Sequence, residues 1–152
     1  MANSQAMCTS FKGELLSATH NFSSANPAHT ANTADTFKAA LYLTTASLGA
    51  ATTAYSATGE VSGTGYSAGG VAVTNAVNPT TSGTTAYWTP SASIVYTNVT
   101  LSTAFDAVLI YNSTQSNKAV SVHTFGSQTV TAGTFTLTMP TNDASTGLIR
   151  IA

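Results

Sequence analysis

Few side chains in this sequence are equipped for chemistry, and their contexts set them apart. Three histidines, His20, His29 and His123, are the candidates for holding a metal or moving a proton. They fall in a helical, a loop and a strand context, and no pair has the short spacing of zinc or non-haem iron motifs. Five carboxylates complete the acid–base inventory: Glu14, Asp35, Glu60, Asp106 and Asp143. General acid–base or glycosidase chemistry needs two of them to converge. Glu14 falls in the first turn of a predicted helix, where the helix dipole favours negative charge. Asp143 sits in an Asn-Asp turn, and Asp35 precedes a strand as a turn residue. Asp106 opens an apolar strand, so its burial calls for Arg150, Lys118 or a backbone amide as partner. These contexts are structural: no catalytic, cofactor-binding or metal-ligating residue is assigned, and no enzyme activity is expected.

The remaining motifs are weaker still. Residues 59–70 are glycine-rich and contain Gly63-Thr64-Gly65, yet they neither follow a strand into a helix nor carry a lysine where a phosphate loop needs one. Positive φ at a bulge or turn is the simpler role for these glycines. Gly65-Tyr66-Ser67-Ala68-Gly69 in this stretch has the Gly-x-Ser-x-Gly spacing, without the strand before it and the helix after it that a nucleophile elbow needs. Three sequons begin at Asn21, Asn98 and Asn112, a chance expectation in a chain this rich in Ser and Thr. The single cysteine, Cys8, excludes an internal disulfide and a cysteine-based zinc cluster. Tyr42, Tyr55, Tyr66, Tyr87, Tyr96 and Tyr111 suit a carbohydrate platform, a protein interface or a sheet surface equally.

The elements that must position these groups are mostly strands. Phe11, Leu15, Ala18 and Phe22 recur at helical spacing, which predicts one helix over residues 11–22 capped by Ser10, after a flexible arm at 1–10. Residues 23–34 are polar, contain a proline and have no period, which predicts a loop. Alternation then predicts strands over 36–44, 71–74, 84–88, 93–99, 105–111, 118–125, 134–139 and 148–151. Residues 112–117 form the tight loop of a hairpin. About eight strands with turn chemistry between them predict a mainly β, single-domain chain (1–152), a β-sandwich or jelly-roll-like fold with one N-terminal helix.

Composition narrows the function class. Of 152 residues 43% are hydrophobic, enough for a core, but only 6% are charged, against about 25% in an ordinary soluble domain. Such a surface must be covered by Thr, Ser, Asn, Ala and Gly, and it suits dense packing beside other proteins. A net charge of −1 argues against nucleic acid or anionic membrane as partner. The first ten residues lack a secretory signal's apolar and basic regions, which predicts synthesis in a cytoplasm. No window has the roughly 18 uninterrupted apolar residues of a membrane span.

Several pieces in order resemble a widespread family of small structural proteins of tailed bacteriophages. They are Phe11-Lys12-Gly13-Glu14-Leu15-Leu16, His20-Asn21-Phe22 and Asp35-Thr36-Phe37-Lys38-Ala39-Ala40-Leu41-Tyr42, then residues 55–70. Val108-Leu109-Ile110-Tyr111-Asn112-Ser113-Thr114 and Thr131-Ala132-Gly133-Thr134-Phe135-Thr136 follow, with Pro140 and the closing Leu148-Ile149-Arg150-Ile151. The resemblance covers almost the whole chain, with residues 23–34 as an insertion. It implies a virion component, made in the host bacterial cytoplasm. The expected role is a capsid decoration (cement) protein that bridges major capsid protein subunits, itself a dimer or trimer, with contacts from residues 1–10 and 23–34. A tail or neck component is the alternative. A third reading, a carbohydrate-binding host-attachment module, predicts exposed aromatics such as Tyr87, Trp88 and Tyr96.

Overall fold

The computed structural model describes residues 2–23, 34–75 and 77–152. In chain order run β1 (Ala6–Met7), α1 (Thr9–Leu16), β2 (Phe37–Leu43), β3 (Val71–Ala72) and β4 (Thr80–Ser82). β5 (Thr85–Trp88), β6 (Ile94–Asn112), β7 (Lys118–Leu137) and β8 (Ile149–Ile151) follow. One antiparallel sheet has the order β1-β7-β6-β2-β3, and a second the order β4-β5-β8. Strands take 45% of the chain and helix 6%, so the class is mainly β, in a β-sandwich-like arrangement with one helix.

The core lies where the two sheets and the helix meet. Val108, Leu109, Ile110 and Tyr111 of β6 are all buried, the unalternating burial of a strand covered on both faces. β2 pairs with that stretch from Phe37↔Asn112 to Leu43↔Phe105. Aromatic rings join the layers: Phe22 stacks on Phe37 at 4.3 Å and meets Trp88 edge-on at 4.8 Å, while Phe11 meets Phe22 at 5.9 Å. Helix, large sheet and small sheet therefore share one aromatic cluster, each ring contributing about 1.5–3 kcal/mol by burial.

Four expectations change. The strands expected at 93–99 and 105–111 are one continuous strand, β6, and those at 118–125 and 134–139 merge into β7. Repeated register shifts between Tyr96 and Ala107 let the long pair bend without breaking, with Asn98 and Ala132 at positive φ. The helix is Thr9–Leu16 rather than 11–22. Ala18 turns left-handed (φ 55°), and the amides of Ser17 and Thr19 close back on the Gly13 and Glu14 carbonyls, so residues 20–22 leave the helix axis. Cys8 occupies the N-cap, and Ser10 lies inside the helix with its hydroxyl buried and unpartnered. Glu14 consequently stands beyond the first turn. Finally, residues 2–10 are docked rather than a flexible arm: β1 pairs with β7, Cys8 is fully buried, and Asn3 bonds Leu43 and Asp106. Of the 23–34 loop, residues 24–33 lie outside the described residues, as does His29.

Candidate assembly interface

All five carboxylates are hydrogen-bonded within the chain, four at buried or part-buried sites and Asp143 in an exposed turn. Glu14 accepts from Lys118 Nζ at 2.6 Å and lies 2.7 Å from His20 Nε2. His20 Nδ1 faces the Asn112 amide nitrogen at 3.0 Å. That amide's orientation follows from Oδ1, which accepts from the backbone N–H groups of Thr114 and Gln115. Nδ1 is therefore the acceptor, and the imidazole proton sits on Nε2, donated to Glu14. The second Asn112 hydrogen goes to Asp35 Oδ2 at 2.7 Å. Asp35 also accepts from the Asn21 backbone and the Gln115 side chain. One connected network thus ties the end of α1 and residue 35 to the β6–β7 turn. Burial works against the Glu14 charge, but hydrogen bonds from Lys118 and His20 outweigh it and hold the carboxyl below its ordinary pKa.

Glu60 is held by neutral donors instead. Tyr55 and Tyr66 hydroxyls donate to it at 2.6 and 2.7 Å, and the Gly69 amide at 2.8 Å. Tyr111 donates to the Gly69 carbonyl and Tyr96 to the Ala39 carbonyl. Burial, then the bond to Glu60, pushes the Tyr55 phenol up to about 12 and raises Tyr66 further. These tyrosines pin the glycine-rich stretch flat against β2 and β6. At Gly70 (φ 70°) a methyl group would collide with the Ala39 carbonyl oxygen, so the glycine is there for close approach as well as for the turn.

The other candidate groups are structural in place as well. Asp106 accepts from Asn3 Nδ2 at 2.6 Å, not from Arg150 or Lys118. Asp143 accepts from Ser145 and Thr146, whose hydroxyls and amides hold it down to about 2. His123 is half-buried: burial pushes it down to about 4, and its Nε2 lies 2.9 Å from Ser121 Oγ. Burial and the nearby Glu14 charge push the Cys8 thiol up to about 11, away from thiolate chemistry. Trp88 and Tyr96 are each 2% exposed, so the aromatic surface expected of Tyr87, Trp88 and Tyr96 does not form.

What remains outside is largely a surface of hydroxyls and methyls, interrupted by several concavities. Between α1 and β8 runs a groove of about 620 Å³ with Met7, Leu15, Leu16 and Ile151 in its walls and Lys12 and Arg150 beside them. It adjoins an apolar cavity of about 90 Å³ lined by Phe11, Leu15, Phe22, Tyr87, Trp88 and Ile149, among others. Compared with protein-family models, curated proteins and solved structures, the chain finds no match. The functional reading therefore rests on residues and geometry.

Sequence patterning placed Leu15 on the apolar stripe of the helix. It missed the groove, because α1 and β8 lie at opposite ends of the chain. The one local signal was Leu16, a large apolar residue off that stripe, now 92% exposed.

Proposed function

We propose that this chain is a structural subunit of a bacteriophage virion, a decoration protein that binds the outer capsid surface and bridges neighbouring major capsid subunits. The observation that carries the reading is the hydrogen bonding of all five carboxylates to donors of the same chain. A chain with 6% charged residues, four of its five acids bonded at buried or part-buried sites and the fifth tied into its own turn, presents copies to one another with little like-charge repulsion. The ordered resemblance to small tailed-phage structural proteins supports the same reading. In this role the protein acts by linkage: a ligand that binds only the assembled lattice stabilises it against disassembly. A dimer or trimer would match the local symmetry of such a lattice.

The test is to count copies in purified particles by quantitative mass spectrometry. A simple lattice fraction of the major capsid protein is the expected result. A few dozen copies or fewer would move the protein to the neck or tail, and absence from particles would overturn the virion reading.

A further inference from the structure

We infer that the groove between α1 and β8 is the docking site for an acidic, apolar segment of a different protein. The inference deepens the assembly reading, on which it rests for the partner's place in a virion; the chemistry of the groove is argued from the molecule alone.

Three observations converge on it. Among the described residues only three large apolar side chains are exposed, and two of them, Leu16 (92%) and Ile151 (45%), line this groove. Apolar side chains scattered over a surface need no explanation, but two gathered in one concavity over Met7 and Leu15 mark an interaction site. The second observation is charge. Of the four Lys and Arg residues, Lys118 is bonded to Glu14 and Lys38 lies against Gly69 beside Tyr111. The other two, Lys12 and Arg150, both border the groove, and neither has a carboxylate within ion-pair distance. The third is the adjoining cavity of about 90 Å³, walled by aromatic and aliphatic side chains. It is smaller than the ~150 Å³ site that accepts benzene and is sized for one aliphatic side chain.

Charge complementarity selects the occupant. A second copy of this chain is a poor match, since Glu14, Asp35, Glu60 and Asp106 are bonded at buried or part-buried sites and the exposed acid, Asp143, stands in a turn with no exposed large apolar side chain near it in sequence. Two cations beside an apolar wall are too few to hold a nucleic acid backbone. The groove fits a segment with one aliphatic anchor for the cavity, a second apolar residue over Leu16 and Ile151, and Asp or Glu within reach of Lys12 and Arg150. Burying the apolar pair supplies the affinity, and the flanking charges supply selectivity and speed of encounter.

The test titrates the full chain with a pool of fluorescent octapeptides carrying acidic flanks and every aliphatic or aromatic pair at the centre. Two control pools replace the acids by lysines or the central pair by alanines. The acidic apolar pool should bind at least about tenfold more tightly than either control, and added salt should weaken it. Leu16→Asp, at a position exposed enough to leave folding intact, should cost about tenfold in affinity. Combined Lys12→Glu and Arg150→Glu should shift the preference to the lysine pool. Equal binding of acidic and basic pools, no binding of either, or indifference to these substitutions would overturn the assignment. Particle occupancy separates the two readings. Peptide selectivity in a protein absent from virions leaves the groove assigned and removes the virion partner. Unchanged virion occupancy of the Leu16→Asp and charge-reversed chains overturns the groove and leaves the virion reading standing.

Discussion

Glu14 and Glu60 do the same job with different chemistry. Each carboxylate gathers a stretch of irregular chain onto the β2–β6 core. Glu14 does so with a lysine and a histidine, Glu60 with two phenols and a backbone amide. The difference appears as pH dependence. Glu14 has a lowered pKa when folded, so its contribution is present above its ordinary value of 4.5 and is lost as pH falls through the folded value. The phenols around Glu60 have raised values. Their contribution is present below the ordinary 10 and is lost as pH rises, through about 12 for Tyr55. One centre adds to the loss of stability in acid, alongside His123 and Asp143, and the other to the loss in alkali.

Substitutions can break this comparison or sharpen it. The largest effect is expected from Gly70→Ala, which drives a methyl group into the Ala39 carbonyl at a positive φ. The tyrosine-bound loop should lift from β2 at a cost on the order of 4 kcal/mol, read by urea denaturation. Glu60→Ala comes next. It leaves the Tyr55 and Tyr66 hydroxyls and the Gly69 amide without their acceptor, a loss of about 3 kcal/mol by the same measurement. The fall in stability above pH 10 should become shallower. Glu14→Gln should cost least, about 1 kcal/mol at neutral pH, because its lysine partner is 38% exposed and screened by solvent. In thermal melts across pH its acid limb should flatten while its alkaline limb stays as in the unsubstituted chain. A Glu14→Gln profile that still falls as steeply in acid would assign the acid sensitivity to His123 and Asp143 instead.

The strands were legible and the contacts between them only in part. Alternation located β2 and β8, and it found the two ends of β6 and β7. Their fusion was hidden because bulges interrupt a period of two without ending a strand. The helix was overrun because Ala18 and Phe22 continue its apolar spacing, while the left-handed turn at Ala18 carries no glycine signal. Asn3 and Asp106 stand far apart in sequence, so Arg150, Lys118 or a backbone amide was the expected partner and this side-chain amide was missed. Each tyrosine around Glu60 was visible, whereas their convergence depends on residues 59–70 folding back over the sheet. The groove between α1 and β8 was least legible, since its two walls come from opposite ends of the chain.

The β6–β7 pair also has a temporal meaning. Its turn at residues 113–117 joins strands that pair with each other at once, from Asn112↔Lys118 outward, so this hairpin can form while little of the chain is ordered. β1, by contrast, must find β7 across most of the sequence, and such distant closures are slow to form. The N-terminal segment should then act as a latch that closes late. Its loss would hasten unfolding far more than it delays folding, so the lifetime of the folded subunit would be set by its first ten residues and the speed of its making by the hairpin.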